Sequence, residues 1–337
     1  MISTLFVASH LLAQSTADPG LDAKTLRAHV RFLASDVLEG RGTPSRGLNL
    51  AAEYIAAQYQ RAGLEAPIDG SHFQWTDSPP NREGITGKVA NVIGVLPGND
   101  PTLKDTAIIV TAHYDHLGIT TREQADQIYN GANDDASGVA CMMGLAEALA
   151  NGPKLKRTII FVALWGEERG LLGSRFYLKN PIWPLKTTIA NLNLEHMGRT
   201  DDSDGPQIKS VAITGFDFSS MSTAFVEAGK ADGVKFWKHE KNSDSFFARS
   251  DNAAFAMAGI PAHTMSVAYI FPEYHQPGDH WDKVDYDNMA TVLRSIRRGL
   301  VSLANSATAP TWDATNPKVQ RYRDAHKQLM SGGGSSR

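Results

Sequence analysis

Apolar positions along this chain recur with two periods, and the switching between them predicts the fold. Residues 22–35 place Leu26, Val30 and Leu33 at helical spacing, and Leu50, Tyr54, Ile55 and Tyr59 mark a second amphipathic helix closed by Gly63. The turn-rich Glu39-Gly-Arg-Gly-Thr-Pro-Ser45 separates them. Residues 66–85 read as loop and edge strand. Short apolar runs of buried-strand length follow at 89–96, 107–110, 158–164, 189–194, 208–214 and 262–267. Between them, 137–149, 170–178, 219–230 and 251–258 predict helices, and helices at 287–304 and 317–330 finish the chain. Strands alternating with helices predict an α/β class with a mixed, mostly parallel central sheet flanked by helices on both faces. One such domain is expected over 20–310, a helical extension over 311–331 and a disordered tail over 332–337.

Composition narrows the chemistry. With 337 residues, 42% of them hydrophobic and 20% charged, the chain has the balance of an ordinary globular protein. A formal net charge of -3 argues against nucleic acid as partner, because phosphate-binding surfaces show a basic excess. The single cysteine, Cys141, excludes an intrachain disulfide and a cysteine-based metal site. Any metal must be held by nitrogen and oxygen. Residues 1–19 carry a short apolar run followed by polar residues, as in a signal peptide and linker, though without a basic front end. Export to a periplasm or to the medium is therefore expected, with a cytoplasmic terminus as the alternative. No run reaches the roughly 18 apolar residues of a membrane span.

Histidines and carboxylates gather at the ends of the strand runs. Thr-Ala-His113-Tyr-Asp115-His116 follows the run at 107–110, and Asn-Gly-Ala-Asn-Asp134-Asp135-Ala-Ser-Gly138 opens the next helix. Trp-Gly-Glu167-Glu168 follows the run at 158–164, Glu195-His196 the run at 189–194, and Tyr274-His275 lies beyond the last strand. The carboxyl ends of parallel strands open onto a crevice where ligands bind. Two cations there can clamp a carbonyl oxygen and an attacking water, which suits amide hydrolysis. They need one bridging carboxylate with a histidine and a carboxylate on each side, and His113, Asp134, Glu168, Glu195 and His275 form such a set. Adjacent glutamates divide the labour: Glu168 as ligand, Glu167 as a base raised in pKa by burial. Asp115 is placed to orient the His113 imidazole, and Asp279 to orient His275. His116 is expected either against a metal ligand or in the wall of the site, His263 as a buried strand residue, and His280 in a loop near the site.

These motifs, with Asn-Leu-x-x-Met-Gly-Arg199 and Tyr-His-x-Pro-x-Asp279, resemble in order the bacterial leucyl-type zinc aminopeptidases, whose wider group includes glutamate carboxypeptidase II and glutaminyl cyclase. The early Leu38-Glu-Gly-Arg-Gly-Thr-Pro44 extends the match to roughly 36–305. The resemblance implies a zinc-exopeptidase fold and two zinc ions per chain, with Asp134 bridging. His113 and Glu195 would complete one site, and Glu168 and His275 the other. It also implies a cis peptide between Asp134 and Asp135, and Tyr274 as a phenol donating to the developing oxyanion. The implied activity is removal of amino-terminal residues from peptides with a free N-terminus, water being activated between the metals with Glu167 as general base. A carboxypeptidase on the same scaffold, a glutaminyl-cyclase-like acyl transferase at one zinc, and a non-catalytic binding module are the alternatives. The sequence departs from the family at Glu195, where Asp is more frequent, and at Asn252, where His is frequent after Ser-Asp. The second departure bears on Arg249 and Asp251, the expected substrate-side residues.

Overall fold

The structure is a computed structural model and describes residues 19–122 and 125–332. The expected leader at 1–19 therefore lies almost wholly outside the described residues, as does the tail beyond Gly332. Eight strands form the main sheet: β1 (Phe73–Asp77), β2 (Lys88–Leu96), β3 (Ala107–His113), β4 (Thr158–Leu164), β5 (Thr188–Leu194), β6 (Ser210–Ile213), β7 (Lys235–Trp237) and β8 (Ala262–Ser266). Their spatial order is β1-β2-β4-β3-β5-β8-β6-β7. The central strands β4, β3, β5 and β8 run parallel. Antiparallel pairings of β2 with β4 and of β8 with β6 carry the sheet outward on either side.

Nine helices accompany the sheet among the described residues: α1 (Ala23–Leu33), α2 (Arg46–Ala62), α3 (Ser137–Ala150), α4 (Leu172–Lys179), α5 (Met221–Asp232), α6 (Asn242–Ser245), α7 (Asn252–Met257), α8 (Tyr286–Asn305) and α9 (Gln320–Ser331). Side chains alternate across a strand, so β3 and β4 feed two cores at once. Ile108, Val110, Ile159 and Phe161 pack in one cluster with residues of α1, α2, α3, α5 and α8. Ile109, Ile160 and Val162 pack in a second with residues of α4, α7 and α9. Burial on both faces explains why these strands read as continuous apolar runs.

The caps agree with local chemistry. The Asp22 carboxylate accepts from the Thr25 N–H at the start of α1, and Ser45 accepts from Leu48 at the start of α2. Gly63 ends α2 in the left-handed conformation, φ 78°. Strand β7 and helix α6, of three and four residues, were not expected. Neither is long enough to display a period. No helix among the described residues is long and apolar enough to cross a membrane.

Candidate metal centre

The parallel register puts the chemistry at one edge. His113 is the last residue of β3 and lies opposite Leu164, the last of β4. Glu167 and Glu168 follow β4 by one turn, and Glu195 follows β5 directly. His275 arrives on the loop beyond β8, and Asp134 on the turn entering α3, where the Asp134–Asp135 peptide is cis. Four segments at or beyond strand ends and one helix entry thus face one point.

Donor atoms of His113, Asp134 and Glu195 form one group within 4.8 Å of one another, and those of His116, Asp134 and Glu168 form a second. His275 joins the second: its Nε2 lies 3.0 Å from Asp134 Oδ2 and 3.4 Å from Glu168 Oε2. Asp134 is common to both. The five expected side chains therefore meet, and two further imidazoles meet them. His116 Nδ1 lies 2.7 Å from Glu168 Oε1. His196, held at φ 55°, places Nε2 3.6 Å from Asp134 Oδ1 and 3.7 Å from Glu195 Oε1. Position alone could have suggested His196, which directly follows Glu195.

The His113 ring tests whether cations fit. Its Nδ1–H donates to the Asp115 carbonyl oxygen at 3.2 Å, which leaves the Nε2 lone pair facing Asp134 Oδ1 at 3.2 Å. Two lone pairs at that distance repel unless a positive charge, a proton or a metal ion, lies between them. The buried Nε2 of His113 and Oε2 of Glu195 have no hydrogen-bond partner, a costly state for polar atoms away from water. Imidazole nitrogens and carboxylate oxygens are the donors zinc takes when cysteine is absent. The donor set fits the metal.

The ionisation of the cluster follows the same demand for positive charge. Burial works against the His113 imidazolium, yet Asp115 and Asp134 outweigh it and raise the group well above its ordinary value. Burial likewise opposes an ionised Asp134, but His196, His113 and His275 hold it well below the usual carboxylate range. Glu168 is held at about 2 against burial and its neighbour Asp134, chiefly by hydrogen bonds to His116 and His275. Glu167 behaves oppositely: burial pushes its carboxyl well above the usual range, with the charges of Glu195, Asp251 and Glu168 adding to the rise. Two adjacent glutamates thus differ in protonation because of where their side chains end.

Side chains behind the donors fix their loops. Asp115 Oδ1 lies 3.6 Å from His113 Nδ1 and accepts from the Glu167 N–H at 3.0 Å, so it braces the base turn as well as the imidazole. Asp279 was expected beside the His275 ring. Instead its carboxylate accepts from the N–H groups of Asn133 and Asp134 and pins the bridging aspartate. Asn133 Oδ1 accepts from Gly198 and Arg199, Asp135 Oδ1 from His196, and Ser137 Oγ from Met197. The Asn-Asp-Asp-x-Ser motif is therefore a brace between the Asp134 loop and the 195–199 loop. Gly138 completes it by close approach, since a Cβ there would lie 2.4 Å from the Leu194 carbonyl oxygen.

A cavity of about 470 Å³ opens over this cluster. Asp134, Glu167, Glu168, Glu195, His196, Tyr274 and His275 line it, together with Leu171, Arg175, Phe246 and Arg249. The Tyr274 ring packs 4.0 Å from that of His275 and 5.2 Å from that of His196. Of the expected substrate-side pair, Arg249 lines the cavity, whereas Asp251 is fully buried and is pushed up to about 7 by that burial. Asn252 does not face the cavity; it donates to the Phe247 carbonyl oxygen and accepts from Thr264. His263 is buried, as expected, and His280 contacts Asp126 at the surface.

Comparison with known proteins agrees with this architecture. A probable zinc metalloprotease of Pyricularia oryzae is 33% identical over 283 residues, 81% of this chain and 54% of that protein. The chain spans about half the length of that relative. Among solved structures, BSAP, a zinc aminopeptidase from Bacillus subtilis, superposes with TM-score 0.66 at 16% identity, covering 86% of this chain and 97% of that one. Porphyromonas gingivalis glutaminyl cyclase superposes with TM-score 0.65 at 16% identity, covering 84% and 98%. At such identities the two structures speak to the fold alone. The sequence model of peptidase family M28 matches residues 91–299, a span that takes in all five converging side chains, and the chain belongs to that family.

Proposed function

We propose that the chain is a zinc-dependent aminopeptidase that removes residues from the free amino terminus of peptides. The observation that carries this reading is the convergence on Asp134 of His113 and Glu195 from one side and Glu168 and His275 from the other, with the raised carboxyl of Glu167 beside them. His113, Asp134 and Glu195 would hold one zinc ion, and Asp134, Glu168 and His275 the second, with the His116 imidazole hydrogen-bonded to Glu168. Bound there, the pair supplies Lewis acidity to the scissile carbonyl and lowers the pKa of water.

The protein's own groups account for the proton movements. The Glu167 carboxylate, its backbone anchored by Asp115, takes a proton from the attacking water and delivers it to the leaving amine. The Tyr274 phenol, packed against the His275 ring, donates to the carbonyl oxygen as negative charge develops. The carboxylates around the cavity attract the ammonium group of the substrate, which favours cleavage from the amino end.

Replacing Glu167 by Gln tests the assignment. Turnover of an aminoacyl amide should fall by roughly 10²–10⁴-fold while zinc content stays near that of the wild type. N-acetylation of the substrate should abolish cleavage by the wild type. Retained activity in E167Q would refute the base, and cleavage of the blocked peptide would refute the aminopeptidase reading.

A further inference from the structure

The cavity carries side chains of both charges. All four of its lining carboxyls, Asp134, Glu167, Glu168 and Glu195, belong to the metal cluster, and its lining also carries two guanidinium groups, Arg175 and Arg249. They come from separate segments. Arg175 lies one helical turn beyond Leu171, the two bonded from Arg175 N–H to the Leu171 carbonyl oxygen, and both line the cavity. Arg249 sits on the turn before α7, where Phe246, Ala248 and Ser250 also line the cavity. Its guanidinium lies 4.3 Å from the centroid of the Phe246 ring, a stacking that steadies its direction. Both arginines are exposed, and among the described residues neither is engaged in an ion pair with a carboxylate.

We infer that Arg175 and Arg249 form a subsite for a peptide carboxylate, so that the preferred substrates are peptides with an acidic group a short distance downstream of the amino-terminal residue. This inference rests on the peptidase reading above. Guanidinium groups bind carboxylates through paired N–H donors. A peptide whose amine meets the carboxyls of the metal cluster and whose carboxylate meets the two arginines satisfies both signs of charge in the cavity. That carboxylate is either an Asp or Glu side chain or the chain terminus of a short peptide, and the chemistry of recognition is the same.

Three peptides decide it, with Leu-Lys amide as a charge-reversed probe for the acidic variant: Leu-Gln amide, which is neutral beyond its amine; Leu-Glu amide, with a side-chain carboxylate; and Leu-Gln with a free carboxyl terminus. For the zinc-loaded wild type, at least one carboxylate peptide should exceed the neutral amide in kcat/KM by about tenfold, the advantage residing in KM. In R175Q/R249Q the ratio should fall to near one. In R175E/R249E, Leu-Lys amide should overtake Leu-Glu amide. Whichever carboxylate peptide leads identifies the source of the charge. Equal cleavage of all three peptides by the wild type would overturn the subsite alone, as would an advantage that survives R175Q/R249Q. Cleavage of none would defeat the peptidase reading and the subsite with it.

Discussion

The carboxylate of Asp279 accepts hydrogen bonds from the backbone N–H groups of Asn133, at 2.9 Å, and of Asp134, at 3.1 Å. A residue on the loop after His275 thereby sets the pose of the carboxylate shared by both halves of the cluster. Such supports are worth 10–100-fold in metal affinity where they have been removed from metal sites. D279A should weaken zinc binding by about that factor in competition with a chromophoric chelator, while D279N, which keeps one acceptor oxygen, should lie between. Wild-type affinity in D279A would show that the Asp134 loop holds itself.

Arg41 makes a comparable brace out of carbonyl groups. Its guanidinium is fully buried and donates to the carbonyl oxygens of Leu33, Tyr114, Asn130 and Gly131, tying α1 to the loops that carry His113 and Asp134. Burial lowers it to about 10, with Asp115 and Asp134 pulling the other way. Loss of these donors strands buried acceptors at about 1–3 kcal/mol each. R41M should therefore melt well below the wild type, and R41K should recover only part of the loss because an ammonium lacks the planar fork. Thermal unfolding of the three proteins in chelator checks this; equal melting temperatures would contradict it.

His263 ties stability to pH at a point remote from the metal cluster. Its Nδ1–H donates to the Thr214 carbonyl oxygen and its Nε2 accepts from the Ser219 hydroxyl, so the neutral ring is satisfied on both nitrogens. Burial lowers its pKa from 6.5 to about 4. Between those values the unfolded chain binds the proton and the folded chain does not, so stability is fully present above pH 6.5 and is lost as pH falls toward 4. The full shift corresponds to roughly 3 kcal/mol. In H263Q, urea unfolding between pH 7 and pH 4.5 should show an acid-side slope smaller by about one proton; an unchanged slope would assign the dependence to other groups.

Much of the site was legible because its chemistry dictates residue type and place. His113, Glu168 and Glu195 stand at or shortly after the ends of apolar runs, and a run of buried-strand length followed by a donor is readable without coordinates. The central strands β3 and β4 read clearly for the same reason, since burial on both faces leaves a long apolar run, whereas β5 breaks its run with the buried Asn191 and Asn193. The particular partners of His116, His196, Arg41 and Asp279 were not legible. Each depends on a contact with a loop distant in sequence: His116 with Glu168, His196 with Asp134, Arg41 with Gly131, and Asp279 with Asn133. Spacing predicts which residues share an element, whereas these pairs are set by how the loops fold over the sheet edge. Asp279 shows the difference most directly, for proximity to His275 in the chain suggested one partner and the fold supplied another.

Anomalous diffraction at the zinc absorption edge from crystals of the zinc-loaded protein tests the pairing of cations on Asp134 most directly. Two peaks about 3.5–4 Å apart are expected, both within bonding distance of Asp134, one beside His113 and Glu195 and the other beside Glu168 and His275. A single peak, or peaks away from Asp134, would contradict the two-cation centre and the hydrolytic chemistry built on it.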